Sequence, residues 1–203
     1  MNILALEPWY GGSHRHFLDD LTRHSGHTIR PVTMAARYWK WRMQGGAVTL
    51  AQKAREALAG GFVPDLLFAT DMVNLPAFLA LTRDQLAATP VVLYLHENQL
   101  TYPIRDAAER DYTYAYINYL SALAADRLVF NSHFHRDQFF EALPTLLRRF
   151  PDFTHLDTLR RLRDRATVLH LGLDLEGHDR HAPNAEAERA RDPGPPIVLW
   201  NQR

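Results

Sequence analysis

The sequence predicts an α/β fold built on a parallel sheet, and three observations predict it. Short apolar runs recur along the chain: Ile3–Leu6, Leu66–Ala69, Val91–Leu95, Leu128–Phe130, Val168–Leu171 and Ile197–Trp200. Stretches with helical spacing separate most of them, which is the alternation of βαβ units. Polar or glycine residues follow nearly every run, and ligands of open parallel sheets sit outside the carboxyl ends of the strands. Here those ends carry Gly11-Gly12-Ser13-His14, Asp71, His96-Glu97-Asn98 and Asn131-Ser132.

Each element has its own justification. A first strand over about residues 2–6 ends at Glu7-Pro8. Beyond the Gly11-Gly12 loop, Ser13 is placed to cap a helix through Phe17, Leu18 and Leu21, which His24-Ser25-Gly26 stops. His27–Met34 reads as a second strand. Residues 35–46 read as irregular or partly helical, with Gly45-Gly46 as punctuation, before a helix over about 48–59. Pro64-Asp65 introduces the third strand, Pro76–Leu86 a short helix, and Pro90 the fourth strand. A long aromatic loop after His96 leads to a helix over about 110–125, the strand Arg127–Phe130, and a helix that Ser132 caps. Residues 133–165 read as helical with a break near Pro151, ahead of a strand over Ala166–Leu171.

Domain organisation follows from a shift in composition. Residues 1–175 make one α/β lobe, whereas Glu176–Pro196 is rich in charge, holds four prolines and lacks large apolar groups. That is linker or surface-loop chemistry, assigned to 176–195. Ile197–Trp200 then reads either as an added edge strand or, better, as the first strand of a second lobe spanning 196–203 here, because a buried-type strand without a following helix ends a fold poorly.

Bulk properties exclude several classes. A chain of 203 residues with 46% hydrophobic and 23% charged content buries an ordinary globular core. The lack of cysteine rules out a disulfide framework and fits a reducing cytoplasm. The 23 basic and 23 acidic residues balance, so global charge makes no case for nucleic acid. No apolar stretch approaches the roughly 20 residues that span a bilayer, and Met1-Asn2-Ile3-Leu4 reads as a strand, not a signal segment.

The motifs are read with their plain alternatives. Gly11-Gly12 between a strand and a helix lets backbone amides approach an anion, or simply makes a tight turn. It is neither a dinucleotide fingerprint nor a Walker loop. His96-Glu97-Asn98-Gln99 follows the most apolar strand and offers side chains that grip hydroxyls, with His96 open to acid, base or neutral roles. Tyr112, Tyr116 and Tyr119 share a helical face and suit core packing, while Tyr102 in the loop is freer to stack on a ligand. Arg37-Tyr38-Trp39-Lys40-Trp41-Arg42 interleaves cations with aromatics, as single-stranded nucleic acid rewards; the alternative is tryptophans pinned in the core. The arginines between Arg148 and Arg165 read as a solvated face. His14-x-His16 and His133-x-His135 do not chelate from a helix, since residues two apart face differently, so no metal is expected. No Gly-x-Ser-x-Gly elbow supports a hydrolase triad.

Glu7-Pro8-Trp9-Tyr10-Gly11-Gly12-Ser13-His14, Trp39-Lys40-Trp41-Arg42-Met43, Asp71-Met72, Tyr94–Pro103, Tyr116-Ile117-Asn118-Tyr119 and Phe130-Asn131-Ser132 together resemble one family. It is the tRNA-queuosine α-mannosyltransferase group, among the retaining family-4 glycosyltransferases of GT-B fold. The resemblance covers nearly the whole chain except the 176–195 linker.

It implies the N-terminal, acceptor-side lobe of a GT-B enzyme: a Rossmann-like parallel sheet with helices on both faces. A second lobe would hold most of a nucleotide-sugar donor, GDP-mannose, and the acceptor would be queuosine in tRNA. By that resemblance His96 contacts the transferred sugar, with Glu97 as its catalytic neighbour. Gly11, Gly12, Asn131, Ser132 and Arg203 serve the donor. Ser13, His14, Trp39, Lys40, Trp41, Arg42, Asn98 and Tyr102 serve the acceptor. The resemblance implies no metal and no further cofactor, a cytoplasmic enzyme without a membrane partner, and little donor binding by this lobe alone. The alternatives are a related transferase with another donor or acceptor, and a non-catalytic RNA- or sugar-binding module. A flavodoxin-like regulator finds only a thin acidic pocket in Glu7 and Asp71.

Overall fold

The computed structural model describes residues 1–105 and 110–180. In chain order they form β1 (Asn2–Tyr10), α1 (Gly12–His24), β2 (Thr28–Ala35), α2 (Trp39–Ala59), β3 (Leu66–Thr70), α3 (Leu75–Leu86) and β4 (Val91–Leu95). Then follow α4 (Tyr112–Ala124), β5 (Arg127–Phe130), α5 (His133–Leu147), α6 (Thr158–Asp164), β6 (Ala166–Val168) and α7 (Leu175–Arg180). The strands make a single six-stranded sheet in the order β2-β1-β3-β4-β5-β6, every pair parallel. The chain winds from β1 outward to β2, then returns to build β3 to β6 on the other side. The switch point between β1 and β3 therefore opens a crevice at their carboxyl ends, where such sheets bind ligands.

Burial explains the apolar runs. Leu4, Leu6, Leu67, Ala69, Leu93, Leu95, Leu128 and Phe130 are fully buried, and they meet Leu50 and Ala54 of α2, Phe78 of α3 and Phe139 and Leu143 of α5. Strands covered on both faces cannot alternate in polarity, so they read as continuous apolar runs. Truncating one of these phenylalanines to alanine costs about 3–5 kcal/mol, from lost transfer energy and the cavity left behind. Helix starts follow local chemistry: Asn74 accepts from the Ala77 N–H, Asp111 from Thr113, and Ser132 from His135, the last as its sequence position implied.

Several boundaries differ from the sequence reading. β1 continues through Pro8 to Tyr10, because β3 pairs it only as far as Leu6 and its register with β2 breaks between Glu7 and Tyr10. A proline is tolerated where the ladder is interrupted. α1 begins at Gly12 with Gly11 as its uncapped start, so Ser13 lies inside the first turn and caps nothing. α2 runs unbroken through Gly45-Gly46. A Cβ on Gly45 would lie 2.9 Å from the exposed Trp41 ring, whereas one on Gly46 would meet Pro8 and Met34 at ordinary contact distances of 3.6 and 3.7 Å. Burial of Ala47, Leu50, Ala51 and Ala54 against the core holds the helix together although each glycine costs it roughly 1 kcal/mol.

Between α5 and α6 the chain leaves the helix for residues 148–157, where Phe153 and His155 adopt positive φ. β6 stops at Val168, because β5 offers it only Leu128–Phe130 as partners. A separate unit begins at Gly172; its described part is the short α7, where Asp174 accepts the Gly177 N–H at 2.7 Å. The strand expected at Ile197–Trp200, the remainder of the 176–195 linker and Arg203 lie outside the described residues. Among the described residues no helix is long and apolar enough to cross a membrane.

Candidate active site

The carboxyl ends of β1, β3, β4 and β5, with the first turns of α1, bring five ionisable side chains together: Glu7, His14, Asp71, His96 and Glu97. Glu7 sits within β1 at 1% exposure. One of its carboxylate oxygens accepts the Trp9 N–H at 2.7 Å, and the other lies 3.0 Å from His14 Nδ1. His14, also buried, is carried on α1 so that its ring stands 4.2 Å from the ring of His96. Phe17 and Tyr94 meet the His96 ring edge-on at 4.7 and 4.9 Å. The His96 backbone is gripped on both sides: its N–H donates to Asp71 Oδ1 at 2.9 Å, and its carbonyl accepts from Asn131 Nδ2 at 2.6 Å. Asp71 is held in turn, because Asn118 donates to its carbonyl at 2.8 Å.

Burial in this cluster separates the two histidines. Burial by itself lowers the His14 pKa, but the bond to Glu7 and the charges of Glu7, Asp71 and Glu97 outweigh it and raise it to about 9. His96 is pushed down to about 3, by burial first and then by the charge on His14. At neutral pH the adjacent pair is thus one imidazolium and one neutral imidazole, since a second charge so close to the first would be repelled. Burial also raises Asp71 to about 7 and raises Glu97, in both cases against the pull of His14. Within this cluster of five, two atoms are shielded from solvent without any partner, His96 Nε2 and Asp71 Oδ2. Buried polar atoms are normally satisfied, so unspent ones at a strand-end crevice mark a place for a ligand.

The other residues singled out in the sequence divide between the rim and the scaffold. Gly11 has extended backbone, and a Cβ there would stand 2.5 Å from that of Ala36, so the turn admits only glycine. Gly12 adopts φ 53°, and both it and Ser13 are exposed at the N-terminus of α1. The helix has no side-chain cap there. Asn131, besides holding His96, receives the Ser132 hydroxyl at 3.2 Å and lies 3.1 Å from His135 Nδ1. Gly11, His14, His96 and Asn131 consequently follow one rim.

Asn98, expected to serve the acceptor, spends its side chain on its own loop. It is buried, and its carboxamide oxygen accepts the N–H groups of Leu100 and Thr101, closing the loop upon itself. Tyr102 in the same loop is 44% exposed.

The aromatic–cation segment is split by its helix. Trp39 packs with Met43, Met72, Tyr114 and Trp9, so it belongs to a small apolar cluster beside the rim. Lys40 stands 5.7 Å from the rings of both Trp39 and Tyr114. Arg42 Nε is tied to the Ala35 carbonyl at 3.1 Å. Trp41 remains 61% exposed. Tyr119 is buried and Tyr116 packs on it, as the helical face of α4 implied.

Sequence reasoning weighed Glu7 only with Asp71 as a thin acidic pocket, passed over Asn118, and treated His135 only as half of an unsuitable pair. Glu7 carries a signal in hindsight: a carboxylate inside an otherwise buried strand requires a partner. Spacing also hid one constellation. Glu7, His14 and His96 each place one ligating atom within 4.8 Å of the others, from three separate elements.

Comparison with known proteins identifies the family. A family model described as tRNA-queuosine alpha-mannosyltransferase N-terminal matches residues 2–173. The chain is 31% identical over 192 residues to a Drosophila melanogaster protein named tRNA-queuosine alpha-mannosyltransferase, covering 94% of this chain and 50% of that one. The chain thus spans about half the length of the curated relative. The family match takes in every strand of the sheet and the whole Glu7–His14–His96–Asn131 rim, and on that ground the chain belongs to the tRNA-queuosine alpha-mannosyltransferase family.

Proposed function

We propose that this chain is the acceptor-side lobe of a retaining glycosyltransferase that moves mannose from GDP-mannose to queuosine in tRNA. The observation that carries the reading is the His96 side chain, a neutral imidazole whose Nε2 is shielded and unpartnered at the carboxyl end of β4, against His14 of α1. A sugar hydroxyl suits that atom, because neutral imidazole exchanges hydrogen bonds with it without burying a charge. Glu97 stands beside it as a second partner for the same sugar. The His14 imidazolium and the uncapped α1 N-terminus with Gly11 and Gly12 supply positive potential for the departing diphosphate. Asn131 and Ser132 hold the rim from the β5 side, and Arg203 is assigned to the same diphosphate. Exposed Trp41, with Lys40 beside it, is assigned to the tRNA.

In the proposed reaction the acceptor oxygen attacks the anomeric carbon on the face from which the diphosphate leaves. The bond from that carbon to the diphosphate oxygen breaks as the glycosidic bond forms, and the acceptor proton passes to the diphosphate. The scheme asks for neither a covalent attachment to the protein nor a metal. This lobe supplies orientation and charge stabilisation, which in a water-poor cleft account for most of such a rate enhancement.

The test uses the enzyme at full family length with GDP-mannose and queuosine-bearing tRNA, reading the nucleoside by mass spectrometry. Mannosyl-queuosine is expected, with His96→Ala lowering kcat by about 100-fold while circular dichroism stays unchanged. Tight tRNA binding with no sugar transfer would replace this reading with that of a binding module.

A further inference from the structure

We propose that Glu7, His14 and His96 form a binding site for a first-row divalent transition metal, zinc above all, in the lobe when no sugar occupies it. The donor set is one carboxylate oxygen and two imidazole nitrogens, brought from β1, the first turn of α1 and the loop after β4, all within 4.8 Å of one another. Magnesium and calcium prefer oxygen ligands throughout, whereas two imidazoles with a carboxylate suit zinc and its neighbours. A tetrahedral ion with bonds of about 2.0–2.2 Å holds its ligand atoms roughly 3.4 Å apart. The Glu7–His14 pair, at 3.0 Å, is already near that separation, and rotation of the His96 ring closes the third side.

Independent features point to a cation at this place. His96 Nε2 and Asp71 Oδ2 are buried without partners, so the cluster has coordinating and hydrogen-bonding capacity it does not use. The ligands are also steadied from behind, as metal ligands require. Trp9 N–H holds the second Glu7 oxygen, and Asp71 holds the backbone of His96. A divalent ion there would displace the proton shared between Glu7 and His14 to solvent and leave a fourth position open to water. Because His96 is also the residue assigned to the sugar, ion and sugar would exclude each other, making the metal an inhibitor.

The experiment needs neither donor nor tRNA, so its outcome stands apart from that of the transferase reading. The protein, freed of metal by chelator, is titrated with Zn2+ by calorimetry and with Co2+ by visible absorption. One ion per chain is expected, with Glu7→Gln and His14→Gln each weakening binding more than about tenfold, the loss seen even for outer-shell partners. His133→Ala, which alters the exposed pair His133 and His170, should leave binding unchanged. Because the buried substitutions can disturb folding, ring-proton NMR of the unsubstituted protein supplies a second readout: Zn2+ should move the His14 and His96 signals first. No saturable binding, binding that survives both substitutions, or shifts confined to other histidines would overturn the proposal.

Discussion

Replacing Glu7 by glutamine removes the charge that holds the His14 proton while keeping a hydrogen-bonding group of the same shape against the Trp9 N–H. Its effect on stability has a magnitude and a sign. His14 rises from 6.5 to about 9 in the folded protein, against its own burial, chiefly through Glu7. At about 1.4 kcal/mol per pH unit, that difference stabilises the fold by about 3 kcal/mol. A group whose folded pKa is raised contributes fully below its unfolded value, here near 6.5, and the contribution vanishes as pH climbs through about 9. Without the Glu7 charge, burial would dominate and His14 would titrate far lower. The stability gap between wild type and Glu7→Gln should therefore be largest near pH 6 and shrink steadily to pH 10. Urea denaturation across that range measures the gap, and titrations of the other groups largely cancel in the difference. A gap that does not change with pH, or a His14 ring signal that titrates near 6.5 in the wild type, would refute the assignment of an ion pair.

Gly11→Ala should destabilise the fold by about 1–3 kcal/mol, because the new Cβ would overlap that of Ala36, and the double variant with Ala36→Gly should recover most of the loss. Thermal melts of the two variants decide this. Trp39→Ala should cost about 1–3 kcal/mol through the apolar cluster it leaves, whereas Trp41→Ala should leave stability within about 0.5 kcal/mol. If Trp41 stacks on RNA, its loss should weaken tRNA binding in a filter or fluorescence assay by about 1–3 kcal/mol, roughly tenfold or more. Equal tRNA affinity would remove Trp41 from the interface.

The five apolar runs among the described residues became strands or strand ends, since parallel strands buried on both faces read as short continuous apolar runs. Ser132 as a cap, the strand end at Asp71 and the prominence of His96 were legible for the same reason: each depends on neighbours close in sequence. The helix across Gly45-Gly46 was not legible. Local propensity argues for a break there, and it is the burial of Ala47, Leu50, Ala51 and Ala54 on one face of α2 that carries the helix through both glycines. The part Asn98 plays in closing its own loop was likewise not legible, because it depends on the path the folded loop takes.

The amino-acid order alone determined the class of fold, the end of the sheet at which polar and ionisable residues gather, and the family, because periodicity and strand-end motifs are local properties. The tertiary structure decided which of those polar residues face one another. Glu7 meets His14 across a helix start, and His14 lies against a histidine more than eighty residues away, so that one ring is charged and the other neutral. Charge in a buried site depends on distance and desolvation, and both of those exist only after the chain has folded.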